Sequence, residues 1–317
     1  MRPRVIDLFC GAGGFSRGFK EAGFEIIFGL DNDAACSKSF KFNFPTAVVL
    51  AEDIQDISGN DITYLVGKRF DIVIGSPPCE PFTGANPHRE VDPLDRLYKD
   101  PMGRLTLEFI RIVGELKPKI FVMENVPAIM EKEIRISLLN ELKHIGYDRI
   151  YFNVLNAEEY GTPSRRRRVF VSNVSINPKP IGKIITVKEA LENLPPPETS
   201  NIPNHEYVPI SDKKLRRIAK VKPGQAVHRF QGASKTIPAL IRLNPDEIAP
   251  TVLGNSRFIH PFEDRLLTVR EQARLMGYPD DHVFFGGKDQ QFNQVGESVP
   301  PPLSYAIARF IIENYFT

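Results

Sequence analysis

Four short apolar runs, at residues 4–9, 25–30, 70–75 and 120–123, alternate with longer stretches of helical spacing. Parallel strands need a crossover between them, usually a helix, and this alternation supplies one each time. The pattern predicts an α/β fold built on a mostly parallel, doubly wound sheet. Helices are expected at 15–22, closed by Gly23, at 34–42, and at 105–116, where Pro118 follows. In such sheets ligands bind at the carboxyl ends of the strands. The residues just after each apolar run are therefore where chemistry is to be sought.

The character changes after about residue 173. Prolines crowd 178–209, including Pro195-Pro196-Pro197, and helical periodicity thins out. One short basic helix is expected near 211–221, with Leu215, Ile218 and Ala219 on one face. Enough aliphatic residues remain for this segment to fold as a second, smaller, loop-rich domain. A last apolar helix, 303–315, should pack back on the first domain. The expected division is 1–172 with 290–317 for the large domain, and 173–289 for the small domain and its hinge.

The 317 residues are 42% hydrophobic, enough for a sizeable core. No apolar run approaches the ~20 residues that span a bilayer, and the opening Met1-Arg2-Pro3-Arg4 does not lead into a signal peptide. The three cysteines, Cys10, Cys36 and Cys79, are too few and too scattered for a disulfide framework or a zinc site. A cytoplasmic protein without a metal or a membrane partner is expected. The formal net charge is only +2, but it is unevenly spread: Tyr160 to Arg257 holds 17 Lys and Arg against 7 Asp and Glu, and the remainder holds 24 against 32. Such asymmetry suggests that one segment meets a polyanion.

Asp7-Leu8-Phe9-Cys10-Gly11-Ala12-Gly13-Gly14 reads as a strand running into a glycine turn and a helix. Glycines there let backbone N–H groups approach a ligand. A dinucleotide fingerprint begun at Gly11 and Gly13 would need a third glycine where Ser16 stands, which argues against a nicotinamide oxidoreductase. Asp31 ends the second strand and could accept the hydroxyls of a ribose. Asp53 could accept an adenine amino group, with Ile54 against the ring. A plain turn with two solvated acids would look the same at this level.

The third run leads into Gly75-Ser76-Pro77-Pro78-Cys79-Glu80, and the fourth into Glu124-Asn125-Val126. A lone cysteine is usually a small buried hydrophobe. At a strand tip, held by prolines, it is a candidate nucleophile. Glu124 would lie at a neighbouring tip.

Taken in order, these motifs resemble the DNA cytosine-C5 methyltransferase family over nearly the whole chain. The family's D-x-F-x-G-x-G-G matches Asp7 to Gly14, its P-C loop Pro78-Cys79, and its E-N-V Glu124-Asn125-Val126. Its Y-G-x-P-Q-x-R-x-R matches Tyr160 to Arg168, and its R-x-L-T-x-R-E-x-A-R-L-x-G-[FY]-P-D matches Arg265 to Asp280. Its Q-x-G-N-[SA]-V-P matches Gln294 to Pro300. Four positions depart: Glu80 and Ser164 replace Gln, Asn32 stands where an aromatic is common, and Glu297 replaces Asn.

The resemblance implies a Rossmann-like, S-adenosyl-L-methionine-dependent methyltransferase sheet with a target-recognition domain. It implies methyl transfer to C5 of a flipped-out cytosine in double-stranded DNA, with S-adenosyl-L-homocysteine as product. Cys79 would attack C6, Glu124 would hold N3, and Arg168, with Arg166, would hold the O2 edge and favour the thiolate. Asn125 belongs to the same catalytic set. Phe9, Gly11, Gly13, Gly14, Asp31, Asn32, Asp53, Ile54, Leu105, Glu297 and Ser298 would line the cofactor. Phosphate contacts are expected from Arg165, Arg167, Lys213, Lys214, Arg216 and Arg217, and base reading from among Arg229, Arg242 and Arg257. Thr251 would support the flipped site. A nucleoid-associated monomer is expected, with a cognate restriction endonuclease sharing its site. A tRNA cytosine methyltransferase of the same family would share the catalytic motifs, and a non-catalytic DNA-binding relative would lack them.

Overall fold

The computed structural model describes residues 2–316 apart from residue 235. Its main sheet comprises β1 (Arg4–Leu8), β2 (Glu25–Leu30), β3 (Val48–Leu50), β4 (Ile72–Gly75), β5 (Ile120–Asn125), β6 (Tyr151–Asn156) and β7 (Arg167–Ser172). The strand order is β3-β2-β1-β4-β5-β7-β6. β1 to β5 pair in parallel, and β7 runs antiparallel to both β5 and β6. The order reverses between β1 and β4, the crevice where open α/β sheets bind ligands. In register, Leu8 faces Leu30 and Gly75, and Gly75 faces Met123. The loops after β1, β2, β4 and β5 therefore leave one edge of the sheet side by side.

Both faces of this sheet are buried, which is why its strands read as continuous apolar runs. Val5, Ile72, Ile74 and Val122 enter one core with Phe15, Phe19, Phe170, Leu303 and Ile307. Ile6, Val73, Phe121 and Met123 enter the other with Phe109, Ile112 and Leu138. Full burial of each large side chain contributes roughly 1.5–3 kcal/mol. The last helix, Pro301–Tyr315, packs on the helix Gly14–Glu21. The two backbones approach so closely that a Cβ on Gly18 would lie 2.3 Å from the Tyr305 nitrogen.

The helix expected at 105–116 begins earlier, at Pro101. Asp100 caps it, accepting from the Met102 and Gly103 nitrogens, and Pro101 fits the first turn, where no N–H is needed. The basic helix occupies Asp212–Ile218 and lies against a hairpin of β8 (Ala226–Gln231) and β9 (Thr236–Ile241). The hairpin is an element the composition of this segment does not announce. A third core joins Val187, Leu243, Val252, Phe258 and Leu267 to Ala12, Phe292 and Val295. Among the described residues no helix is long and apolar enough to cross a membrane.

Candidate active site

β1 does not simply run into the glycine turn. Phe9 takes φ 58°, in the left-handed region that non-glycine residues seldom enter, followed by Gly11 at 52° and Gly13 at 92°. This coil aims the Gly11 N–H at Asp31 Oδ2, 2.8 Å away. Asp31 Oδ1 accepts from the Asp33 nitrogen at 3.0 Å. Burial pushes the Asp31 carboxyl above its ordinary range, against these two hydrogen bonds. A Cβ on Gly11 would meet nothing within 4 Å, so the turn opens onto free space. Asp53 caps a short turn, accepting from the Gln55 nitrogen at 2.9 Å, and Ile54 is buried beneath it. Leu105 is half-buried and packs on the same core as Phe9 and Cys79. Asn32 is exposed.

Gly14 is pressed from above: a Cβ there would lie 2.3 Å from the Tyr278 hydroxyl and 3.0 Å from the Ser298 Cβ. The Tyr278 hydroxyl is buried without a hydrogen-bond partner. Tyr278 was not singled out from sequence, although it lies in the long motif ending at Asp280. His282 bonds the Ala12 carbonyl at 2.9 Å and braces the turn from behind. Asp7, one strand position before it, is buried and accepts from the Ser16 hydroxyl at 2.6 Å. Burial pushes its carboxyl up to about 8, against the Ser16 hydrogen bond.

At the chemistry end, the Asn125 amide donates to the Pro77 carbonyl at 3.2 Å and ties the tip of β5 to the cysteine loop. Glu124 and Arg168 are both buried and paired at 2.8 Å. Cys79 sits beside this pair. Burial pushes its thiol up, Arg168 and Arg166 oppose, and Glu124 and Glu297 add to the rise.

The Arg166 guanidinium donates to the Val252 and Gly296 carbonyls at 3.0 and 2.9 Å, which ties the start of β7 to the third core. Burial lowers its pKa to about 9, with Arg168 adding to the fall. Ser164 packs inward, its hydroxyl 3.8 Å from the Met276 sulfur.

The basic residues divide in a similar way. Arg165, before β7, and Arg167, its first residue, are exposed. Lys213, Arg216, Arg217 and Arg229 are exposed, and Lys214 and Thr251 half-buried. Arg242 cannot be a base reader in this arrangement. Its guanidinium is buried and donates to Val221, Ile218, His260 and Glu263 carbonyls and to Asp264. Arg257 is held by Asp289 at 2.6 Å and lies over the Phe292 ring.

A sheet of this order, with a glycine turn after β1 and a cysteine loop after β4, is that of an α/β methyltransferase of the S-adenosylmethionine-dependent class. The C-5 cytosine-specific DNA methylase family matches residues 3–313, and the chain belongs to that family. It is 48% identical to a Methanocaldococcus jannaschii protein provisionally named type II methyltransferase M.MJ0563P, over 97% of this chain and 98% of that one. It is 34% identical to type II methyltransferase M1.HphI of Haemophilus parahaemolyticus, over 99% of this chain and 87% of the relative. Its fold also matches a crystal structure of a prophage-encoded E. coli protein described as a DNA modification methyltransferase. There the TM-score is 0.80 and the identity 26%, over 99% and 100% of the two chains.

Proposed function

We propose that this DNA cytosine-5 methyltransferase acts on a flipped-out cytosine through a covalent bond from Cys79 to C6. The observation that carries the reading is the buried Glu124–Arg168 pair beside the Cys79 thiol at the edge of the crevice. Cytosine C5 is a poor nucleophile in an aromatic ring. Addition of the cysteine sulfur to C6 breaks the aromaticity and makes C5 enamine-like. Glu124 holds N3, where negative charge develops, and Arg168 holds Glu124 and the O2 edge. Once C5 has taken the methyl group, a general base takes the C5 proton, and its electron pair re-forms the C5–C6 double bond as the Cys79 sulfur leaves C6. The base must leave the stack to reach Cys79, at a cost of ~a few kcal/mol.

Asp31, Asp53, the glycine turn and Ser298 would hold S-adenosylmethionine, which supplies an electrophilic methyl group. Residues 1–172 and 290–317 would form the catalytic domain and 173–289 the target-recognition domain and hinge. By analogy with the type II relatives, the site is shared with a cognate restriction endonuclease. Asp31→Ala should weaken binding of S-adenosylmethionine by roughly 1–3 kcal/mol through loss of a buried acceptor. Unchanged affinity in titration calorimetry would mean the adenosine end lies elsewhere.

DNA binding rests on exposed cations, so its affinity should fall steeply with salt. Neutralising Lys213 and Lys214 together should weaken binding to every sequence alike and flatten the salt slope by up to about 2 units. Fluorescence anisotropy across a salt series reads both effects. A slope equal to wild type would remove the basic helix from the DNA surface.

A further inference from the structure

The peptide between Ala12 and Gly13 lies in the middle of the glycine turn, and it is held from two sides. Its N–H, on Gly13, donates to the Cys10 carbonyl at 2.9 Å. Its carbonyl, on Ala12, accepts from His282 Nε2 at 2.9 Å. Gly11 and Gly13 flank it, both at positive φ. Glycines tolerate many backbone angles, so a peptide between them can rotate at little cost unless its polar atoms are bound. The same turn aims the Gly11 N–H at Asp31 Oδ2. Rotation of the Ala12–Gly13 peptide would break the Cys10 bond and disturb that aim.

His282 reaches the turn from 270 residues away in the chain, and its own place is fixed by its neighbours. Asn43, at the end of the helix Ala34–Asn43, bonds the Val283 nitrogen and carbonyl at 3.0 and 2.9 Å. Asn204 does the same for Phe284, at 2.9 and 2.8 Å. The buried Arg270 guanidinium donates to the His282 carbonyl, and to those of Pro203 and Pro279 at 3.0 and 2.9 Å. The imidazole is fully buried and packs against the rings of Tyr278 and Phe284, with centroids 4.7 and 5.2 Å away.

A carbonyl can only accept, so Nε2 carries the ring's proton and Nδ1 keeps a lone pair. Nδ1 is buried and has no hydrogen-bond partner among the described residues. Burial lowers the pKa of the ring to about 3, against the bond to Ala12, and keeps it neutral. A phenyl ring would fill the same space without an unpartnered nitrogen. What the imidazole adds is the Nε2–H donor. Resting on the donor assignment made above, we infer that His282 is a positioning residue for methyl-donor binding, which holds the glycine turn by the Ala12 carbonyl in the shape that receives S-adenosylmethionine. Residue 282 belongs to the segment assigned above to target recognition and its hinge. The donor site is therefore completed from the far side of the proposed domain boundary.

The test is titration calorimetry of S-adenosylmethionine with wild type, His282→Leu and His282→Gln. Leucine and glutamine have similar bulk, and only the amide can donate to Ala12. His282→Leu should bind the donor roughly tenfold more weakly, the order set by one buried hydrogen bond, and His282→Gln should stay within about threefold of wild type. Wild-type affinity in His282→Leu would overturn the proposal. So would a loss in His282→Gln of about tenfold or more, which would make His282 a packing residue only. Nitrogen NMR of the wild-type imidazole gives a reading that does not depend on the leucine variant folding. The proton should be on Nε2, and a proton on Nδ1 alone would overturn the proposal. A wild type that does not bind S-adenosylmethionine would overturn the donor assignment itself, a result distinct from these.

Discussion

Cys79→Ser should abolish methyl transfer, lowering it by roughly 10⁴-fold or more, while leaving the fold and cofactor binding intact. A hydroxyl is almost isosteric with the thiol but far less nucleophilic, and no other cysteine lies in the crevice loops after β4 and β5. Cys79 is half-buried and its loop is held by Asn125, which does not touch the sulfur, so stability should change by less than ~1 kcal/mol. Transfer of labelled methyl groups to unmethylated plasmid DNA reads the activity, and urea unfolding reads the fold. Turnover by the serine variant within about tenfold of wild type would remove Cys79 from the chemistry.

The second large effect concerns the Glu124–Arg168 pair. Arg168→Ala would leave Glu124 buried with no cation, which costs about 3–5 kcal/mol in comparable buried pairs. Glu124→Gln keeps the shape and removes the carboxyl group that holds N3, so activity should fall by roughly 10²–10⁴-fold. The double variant Glu124→Gln/Arg168→Ala should be more stable than Arg168→Ala alone, because the neutral amide no longer needs the guanidinium. Urea midpoints for the four proteins test this. A double variant as unstable as the sum of the singles would mean that the two groups do not act as a pair.

The strands that were legible in sequence were those buried on both faces. β1, β2, β4 and β5 are rich in Val, Ile, Leu and Phe because side chains on both faces meet a core. β3 has three residues, too few for a pattern, and β6, at the sheet's edge, carries Asn153 and Asn156 among its apolar residues. β7 was hidden behind four consecutive arginines. Those arginines nevertheless alternate through the approach to β7 and its first two residues, with Arg165 and Arg167 exposed and Arg166 and Arg168 buried.

The candidate site was legible in position where a reactive residue type stands at a strand tip, as at Cys79, Glu124 and Asp31. It was not legible where a side chain's direction decides its role. Arg242 and Arg229 look alike in sequence, but β9 delivers Arg242 into a ring of carbonyl groups while Arg229 faces solvent from β8. Arg166, two residues before Arg168, spends two of its donors on the Val252 and Gly296 carbonyls, partners that no sequence pattern announces. The balance at the Cys79 thiol was only half visible, because positive charge can be read from a sequence and desolvation cannot.

The central claim is the covalent bond from Cys79 to C6, and 5-fluorocytosine tests it most directly. Fluorine at C5 cannot leave as the proton does, so attack and methyl transfer proceed but elimination stops. Plasmid-length DNA synthesised with 5-fluorocytosine in place of every cytosine presents the fluorinated base at the target, whatever the target sequence is. Incubated with this DNA and S-adenosylmethionine, wild type should run on a denaturing gel as a protein–DNA species, and Cys79→Ser should not. Peptide mapping should place the attachment at Cys79. A wild-type protein that methylates ordinary DNA but gives no denaturant-stable species with the fluorinated DNA would contradict the covalent mechanism.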